Sequence, residues 1–324
     1  MMIYFGKKEL FFMKSTQKMY AFLLAALMLF ALVSCGGDGK KKEEEVIKTV
    51  ADDTAVLGMS FSVPETYETV QRDIEKDTQG KLMNKSISYK IAENSYLSFA
   101  FTIAEGRKLE DELGEMKVER KEYNGVELII YKSSKKTYMA FYQVGDNVYG
   151  VQYRALNEET IDDEFDKILQ TVKMTDATET TVNDITLDNI QYDLATDVPL
   201  YSESTSVVEK PDGTLVKKSF VWKYSEDSEK ISYRFGIEQN KNTKLEDLIS
   251  ADKEYAEKKI GNVTYTFEKG EKKTDTYDHY NYYVQQGEDV YVVQNKGVSN
   301  GWVVSRSEES KKAFKKFIKA VQFE

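Results

Sequence analysis

Cysteine is nearly missing from this chain: one occurs in 324 residues, at Cys35, beside one histidine and three prolines. With no second thiol, no disulfide can brace the folded part, which must be held by packing. Thiol catalysis and cysteine-ligated zinc or iron–sulfur centres are excluded from everything beyond position 35. A zinc site around the single histidine, His279, would rest almost wholly on carboxylates, so no metal and no cofactor are expected. Positive charge is also short, with 45 Lys and Arg against 55 Asp and Glu and a net charge of -10. Nucleic acid is therefore not an expected partner, because phosphate binding needs a basic surface. The sequence has no Gly-x-Ser-x-Gly elbow, no Gly-rich phosphate loop and no dinucleotide fingerprint.

One long apolar run is present, Tyr20 to Val33, with Lys14 and Lys18 before it and the small Ser34 after it. Basic, hydrophobic and cleavage regions follow in the order of a secretory signal. The run falls short of the roughly 20 residues a membrane span needs, so removal between Ser34 and Cys35 is expected rather than a transmembrane anchor. The stretch before Met13 makes the basic region unusually long, which places the expected translation start at Met13. Leu32-Val33-Ser34-Cys35 resembles the lipobox of bacterial lipoproteins. That resemblance implies a diacylglycerol on the Cys35 sulfur and a membrane-anchored protein in the cell envelope, its domains outside the cytoplasm. Two or more acyl chains anchor stably, at about 0.8 kcal/mol per buried methylene. Gly36 to Glu45 has no apolar residue to bury and is expected to be a flexible tether. About 20 such residues reach roughly 25 Å root-mean-square.

Aromatic residues are plentiful, with 22 Tyr and 16 Phe, a composition that suits strands with one packed and one wet face. An internal repeat organises them. Leu97 to Ile103 matches Ile231 to Ile237, both alternating with period two. Leu109, Leu113 and Met116 correspond to Leu245, Leu248, Ile249 and Tyr255, spacings that draw an apolar stripe on a helix. Asn124-Gly125 and Gly261-Asn262 read as hairpin turns, and a second hairpin follows each, turning at Gly145-Asp146-Asn147 and Gly287-Glu288-Asp289. Phe165, Ile168, Val172 and Met174 recur at the same spacing as Phe314, Phe317, Val321 and Phe323, a closing amphipathic helix that runs into a short strand. Longer loops are expected in the second copy around Val207 to Leu215 and Lys269 to Asp278.

The predicted fold is α+β, with two similar domains, each a mainly antiparallel sheet packed with helices. The boundaries are 1–34 for the signal, 35–55 for the lipidated cysteine and tether, 56–175 for the first domain, 176–186 for the linker and 187–324 for the second. Met59-Ser60-Phe61-Ser62-Val63-Pro64, the Asn124-Gly125 hairpin and the helix Phe165 to Val172 resemble the PsbP-like fold. That fold is shared by an extrinsic photosystem subunit, a Ran-binding import factor and bacterial lipoproteins of the DcrB type. The resemblance implies a non-catalytic module that docks on an envelope protein partner, and carries over no binding residue.

Other chemistry reads weakly. His279 lies among tyrosines on a strand, a structural setting more than the centre of a hydrolase triad. Tyr280 and Tyr282 alternate with Tyr277 and Tyr283, so one pair is expected in the core. If exposed, Tyr280 and Tyr282 would suit a carrier for a glycan or small ligand. Glu158, Glu159, Asp162, Asp163 and Glu164 precede a helix, where acidic side chains complement the dipole, and they lack calcium-loop spacing. No catalytic residue is assigned, and the chain is not expected to be an enzyme.

Overall fold

A computed structural model describes residues 49–56, 58–114, 116–174, 185–226, 231–269, 281–300, 303–305 and 307–324. Met13, Ser34, Cys35, Tyr277, His279, Tyr280 and most of the expected linker lie outside the described residues. The chain divides into two compact units, one from Met1–Arg72 and Asn84–Val182, the other from Asp73–Met83 and Asn183–Glu324. The segment Asp73–Met83 thus belongs with the second unit, where the Glu75 carboxylate accepts from Lys223 Nζ at 2.6 Å and Ser202 Oγ at 2.7 Å.

The first unit, with the part of β3 and β4 that falls in Asp73–Met83 counted to the second, runs β1 (Thr49–Val56), β2 (Met59–Pro64), β3 (Thr69–Asp77), β4 (Leu82–Ala92), β5 (Ser95–Ile103), α1 (Leu109–Leu113), β6 (Val118–Tyr123), β7 (Val126–Ser134), β8 (Thr137–Val144), β9 (Asn147–Arg154), α2 (Ile161–Thr171) and β10 (Lys173–Met174). Its large sheet has the order β3-β4-β5-β9-β8-β7-β6, and β10 pairs antiparallel with β2. The second unit runs β11 (Ile190–Gln191), β12 (Leu200–Glu209), β13 (Leu215–Tyr224), β14 (Tyr233–Asn240), α3 (Leu245–Leu248), β15 (Tyr255–Ile260), β16 (Val263–Glu268), β17 (Asn281–Gln286), β18 (Asp289–Asn295), β19 (Val298–Asn300), β20 (Val303–Ser305), α4 (Glu308–Ala320) and β21 (Gln322–Phe323). Its sheet order, β12-β13-β14-β18-β17-β16-β15, repeats the first, and β21 pairs with β11 as β10 does with β2. The fold is mainly antiparallel sheet with a few helices.

Each closing helix buries its apolar stripe on its own sheet. In the first unit Ile161, Phe165, Ile168 and Leu169 face inward, with Phe165 edge-on to Tyr138 at 5.8 Å. In the second, Phe314, Phe317 and Ile318 meet Phe235, Tyr282 and Trp222. Each fully buried aromatic of this kind contributes about 1.5–3 kcal/mol by removal from water. The Asn124-Gly125 turn has φ of 50° and 80°, both positive as a tight hairpin turn with matching twist requires.

Three local expectations are corrected. The central helices are single turns: α1 stops at Gly114, whose φ of 50° suits a residue without Cβ, and α3 ends at Ile249, already extended. Met116 and Tyr255 therefore lie beyond them, as helices this short cannot propagate on their own. Within Val207 to Leu215 the loop is only the five residues 210–214, Val207 to Glu209 ending β12 and Leu215 opening β13 around a turn at Pro211-Asp212-Gly213. Third, Ser98 pairs with Gln152 as Gly236 pairs with Gln294. The counterpart of Ser98 is thus Gly236, four residues beyond the Ser232 that sequence alternation suggests. An even shift keeps every side chain on its face, so alternation cannot see it.

Candidate functional site

The aromatic segment resolves in favour of packing where it is described. Tyr282 is fully buried and meets Tyr265 edge-on at 6.1 Å. Tyr283, on the opposite face, is half-buried and edge-on to Tyr255. Tyr282 is therefore core and lines no open surface. The acidic residues of α2 are engaged locally: Asp162 with Lys132 at 2.7 Å, Asp166 with Lys121 at 3.1 Å and with the Tyr123 hydroxyl, and Glu164 with the Tyr153 hydroxyl at 2.7 Å. The Lys132 hydrogen bond holds the Asp162 carboxyl below its ordinary range. The Tyr123 hydrogen bond does the same for Asp166, with Lys121 adding to it. Among the described residues no group of three or more His, Cys, Asp or Glu is placed to hold a metal ion. No helix among the described residues is long and apolar enough to cross a membrane.

Two polar arrangements escaped the sequence reading. The first is a brace present in both units. Gln143 Oε1 accepts from the Leu109 amide at 2.6 Å while its Nε2 donates to the carbonyls of Arg107 and Gly145. Gln285 repeats this, accepting from the Leu245 amide at 2.8 Å and donating to Thr243 and Gly287. The signal was available: each glutamine stands two residues before the turn glycine of its copy. In the second unit an open depression beside Thr243, Leu245, Gln285 and Gly287 is the footprint of this brace, and the amide of Gln285 is wholly spent on it.

The second arrangement belongs to one copy. Lys241 Nζ lies 2.7 Å from Asp289 and 3.2 Å from Asp188, Lys218 Nζ lies 2.8 Å from Asp188, and the fully buried Gln239 donates to both carboxylates. Tyr291 donates to the Asp188 carbonyl at 2.6 Å, and burial pushes its phenol up to about 12. The Lys218 hydrogen bond lowers the Asp188 carboxyl. Burial acts to raise Asp289, but Lys241, Gln239 and the Asn242 amide outweigh it. In the first unit Phe101 stands at the place of Gln239, packed on Tyr149 at 5.5 Å. The ion cluster is closed on itself and pins the segment around Asp188 to the sheet.

The outer faces of the closing helices differ in charge. Positions aligned by the shared Phe spacing carry Asp162, Asp163, Asp166 and Gln170 in α2 and Lys311, Lys312, Lys315 and Lys319 in α4, while Lys167 and Lys316 keep lysine in both. Lys312, Lys315, Lys316 and Lys319 are exposed, while Ser310, Ala313, Phe314, Phe317 and Ile318 are buried. One helix position in the fold has thus been recharged between copies while its apolar face is kept.

No protein-family model matches the chain, and no curated protein matches it. Among solved structures, the immunity protein TplEi of T6SS from Pseudomonas aeruginosa, complexed with "L" peptide, aligns over 85% of this chain and 98% of its own. Identity there is 10% and the TM-score 0.20. MucB in complex with MucA(peri) aligns over 80% of this chain and 95% of its own, at 6% identity and a TM-score of 0.17. At these scores neither assigns a fold or a partner.

Proposed function

We propose that the chain is a lipid-anchored cell-envelope protein, tethered through Cys35. Its two diverged PsbP-like domains, 56–175 and 187–324, serve as non-catalytic docking modules for an envelope protein partner. The observation that carries this reading is the contrast between frame and surface. Strand order and the glutamine brace repeat from one unit to the other, whereas the exposed face of the closing helix changes from acidic to basic. A duplicated binding module is expected to keep its frame and alter its surface. The buried Tyr282 gives the glycan-carrier alternative no support.

The test is in-cell crosslinking of the native chain, affinity purification and mass spectrometry, with Cys35→Ala as the delocalised control. A reproducible protein partner that disappears with Cys35→Ala is expected. Equal recovery from the soluble fraction of the variant would remove the anchor, and recovery of lipid or wall glycan alone would remove the protein-docking role.

A further inference from the structure

We propose that the outer face of α4 is an electrostatic docking surface for the anionic phospholipid headgroups of a bilayer, an inference that rests on the lipid-anchored reading above. Lys312, Lys315, Lys316 and Lys319 are spaced so that all four lie along one side of the helix, a stripe about 10 Å long. Phe314, Phe317 and Ile318 are locked in the core on the other side, so the helix cannot rotate the stripe away. Ser307 caps the helix, its Oγ accepting from the Ser310 amide at 3.0 Å, and Lys319 sits in the last turn, where a cation complements the dipole.

The chemistry of the stripe selects the partner. All four charges are lysine ammoniums, compact and on flexible stems, without the planar fork with which arginine grips one carboxylate or phosphate bidentately. Such charges suit a diffuse array of phosphates. The large exposed hydrophobics among the described residues are Val144 and Leu156, neither of them on α4, so contact would be peripheral, without insertion, and screened by salt. Nearby acids moderate the stripe: Asp197 lies 3.2 Å from Lys316, and Glu308 and Glu309 open the helix. A second copy of the chain is the poorer partner, because the corresponding acidic face of α2 is already engaged by Lys121 and Lys132. In a chain of net charge -10, which an anionic bilayer repels as a whole, a basic stripe would favour turning its own side to the membrane.

The experiment uses the full native chain with vesicles of phosphatidylcholine alone or with roughly 30% phosphatidylglycerol, a composition that sets up an attractive surface potential. Lysine acetylation rates are read site by site by mass spectrometry. Lys312, Lys315 and Lys319 are expected to react at least about threefold more slowly on the anionic vesicles, and to recover at about 0.5 M salt, where screening is within a few ångströms. Exposed Lys108 and Lys210 should not change. Equal rates on both vesicles, protection that persists in high salt, or protection already present without vesicles would each overturn the proposal, the last by pointing to self-association. Flotation reports the anchor separately. A chain that fails to float on phosphatidylcholine defeats the anchored reading, while labelling on anionic vesicles still decides α4.

Discussion

Replacing Lys241 by Met probes the ion cluster of the second unit directly. Lys241 holds two carboxylates, but they do not suffer equally from its loss. Asp188 keeps Lys218 at 2.8 Å, whereas Asp289 keeps only the Gln239 amide and the Asn242 N–H. Asp289 is 14% exposed and Lys241 23%, so a nearly buried carboxylate loses its cation. Breaking a fully buried pair costs about 3–5 kcal/mol, and the residual water contact lowers this to about 2–3 kcal/mol. For a unit of this size that corresponds to a Tm drop of roughly 6–10 °C at pH 7. The pH dependence is the sharper test. In the native chain the folded Asp289 carboxyl lies below its unfolded value, so its contribution is complete above the unfolded pKa, about 3.9, and is lost as pH falls through the folded one. Without Lys241, burial should hold that carboxyl above its unfolded value, so protonation relieves the variant. The gap between variant and native chain should therefore narrow steadily from pH 7 to about pH 3. Calorimetric scans across that range check this. A Tm within a degree of native at pH 7, or a gap that is constant or widens toward acid, would refute the reasoning.

The glutamine brace predicts that Gln143→Ala and Gln285→Ala each cost about 1–2 kcal/mol. Hydrogen exchange should accelerate at the Leu109 amide in the first variant and the Leu245 amide in the second, each without effect on the other unit. Two turn glycines should respond unequally. A Cβ at Gly125 (φ +80°) meets nothing within 4 Å, whereas at Gly261 (φ +61°) it would lie 2.8 Å from the Lys319 carbonyl oxygen. Gly125→Ala is expected to cost about 1 kcal/mol and Gly261→Ala at least about 2 kcal/mol, measured by urea denaturation. Phe314→Ala, at a site with no exposure, should cost about 3–5 kcal/mol, and a loss under about 1 kcal/mol would show that α4 is not seated as described.

Much of the architecture could be read along the chain because its signals are periodic and local. The closing helices are legible from Phe165, Ile168, Phe314 and Phe317, whose spacing is helical, and the hairpins from Asn124-Gly125 and Gly287, where positive φ is needed. The single-turn helices were overread because Met116 and Tyr255 continue an apolar pattern past a chain that has already left the helix. Strand pairing between the copies was misplaced by an even number of residues, which period-two alternation cannot detect. The glutamine brace had a visible signal, but its meaning needed the Leu109 and Leu245 amides to be brought within reach.

Composition and local pattern by themselves determined that the fold has no disulfide, that it is built from sheets with a closing helix, and that it repeats. These properties depend on residue type and on neighbours a few positions away. Only the tertiary structure decided which register the strands take, that Gln239, Lys241, Asp188 and Asp289 converge while in the first copy Phe101 stands at the place of Gln239 and packs on Tyr149, and that the lysines of α4 stand outward as one stripe. Those outcomes depend on contacts between residues far apart in sequence, where burial, desolvation and hydrogen-bond geometry are settled together.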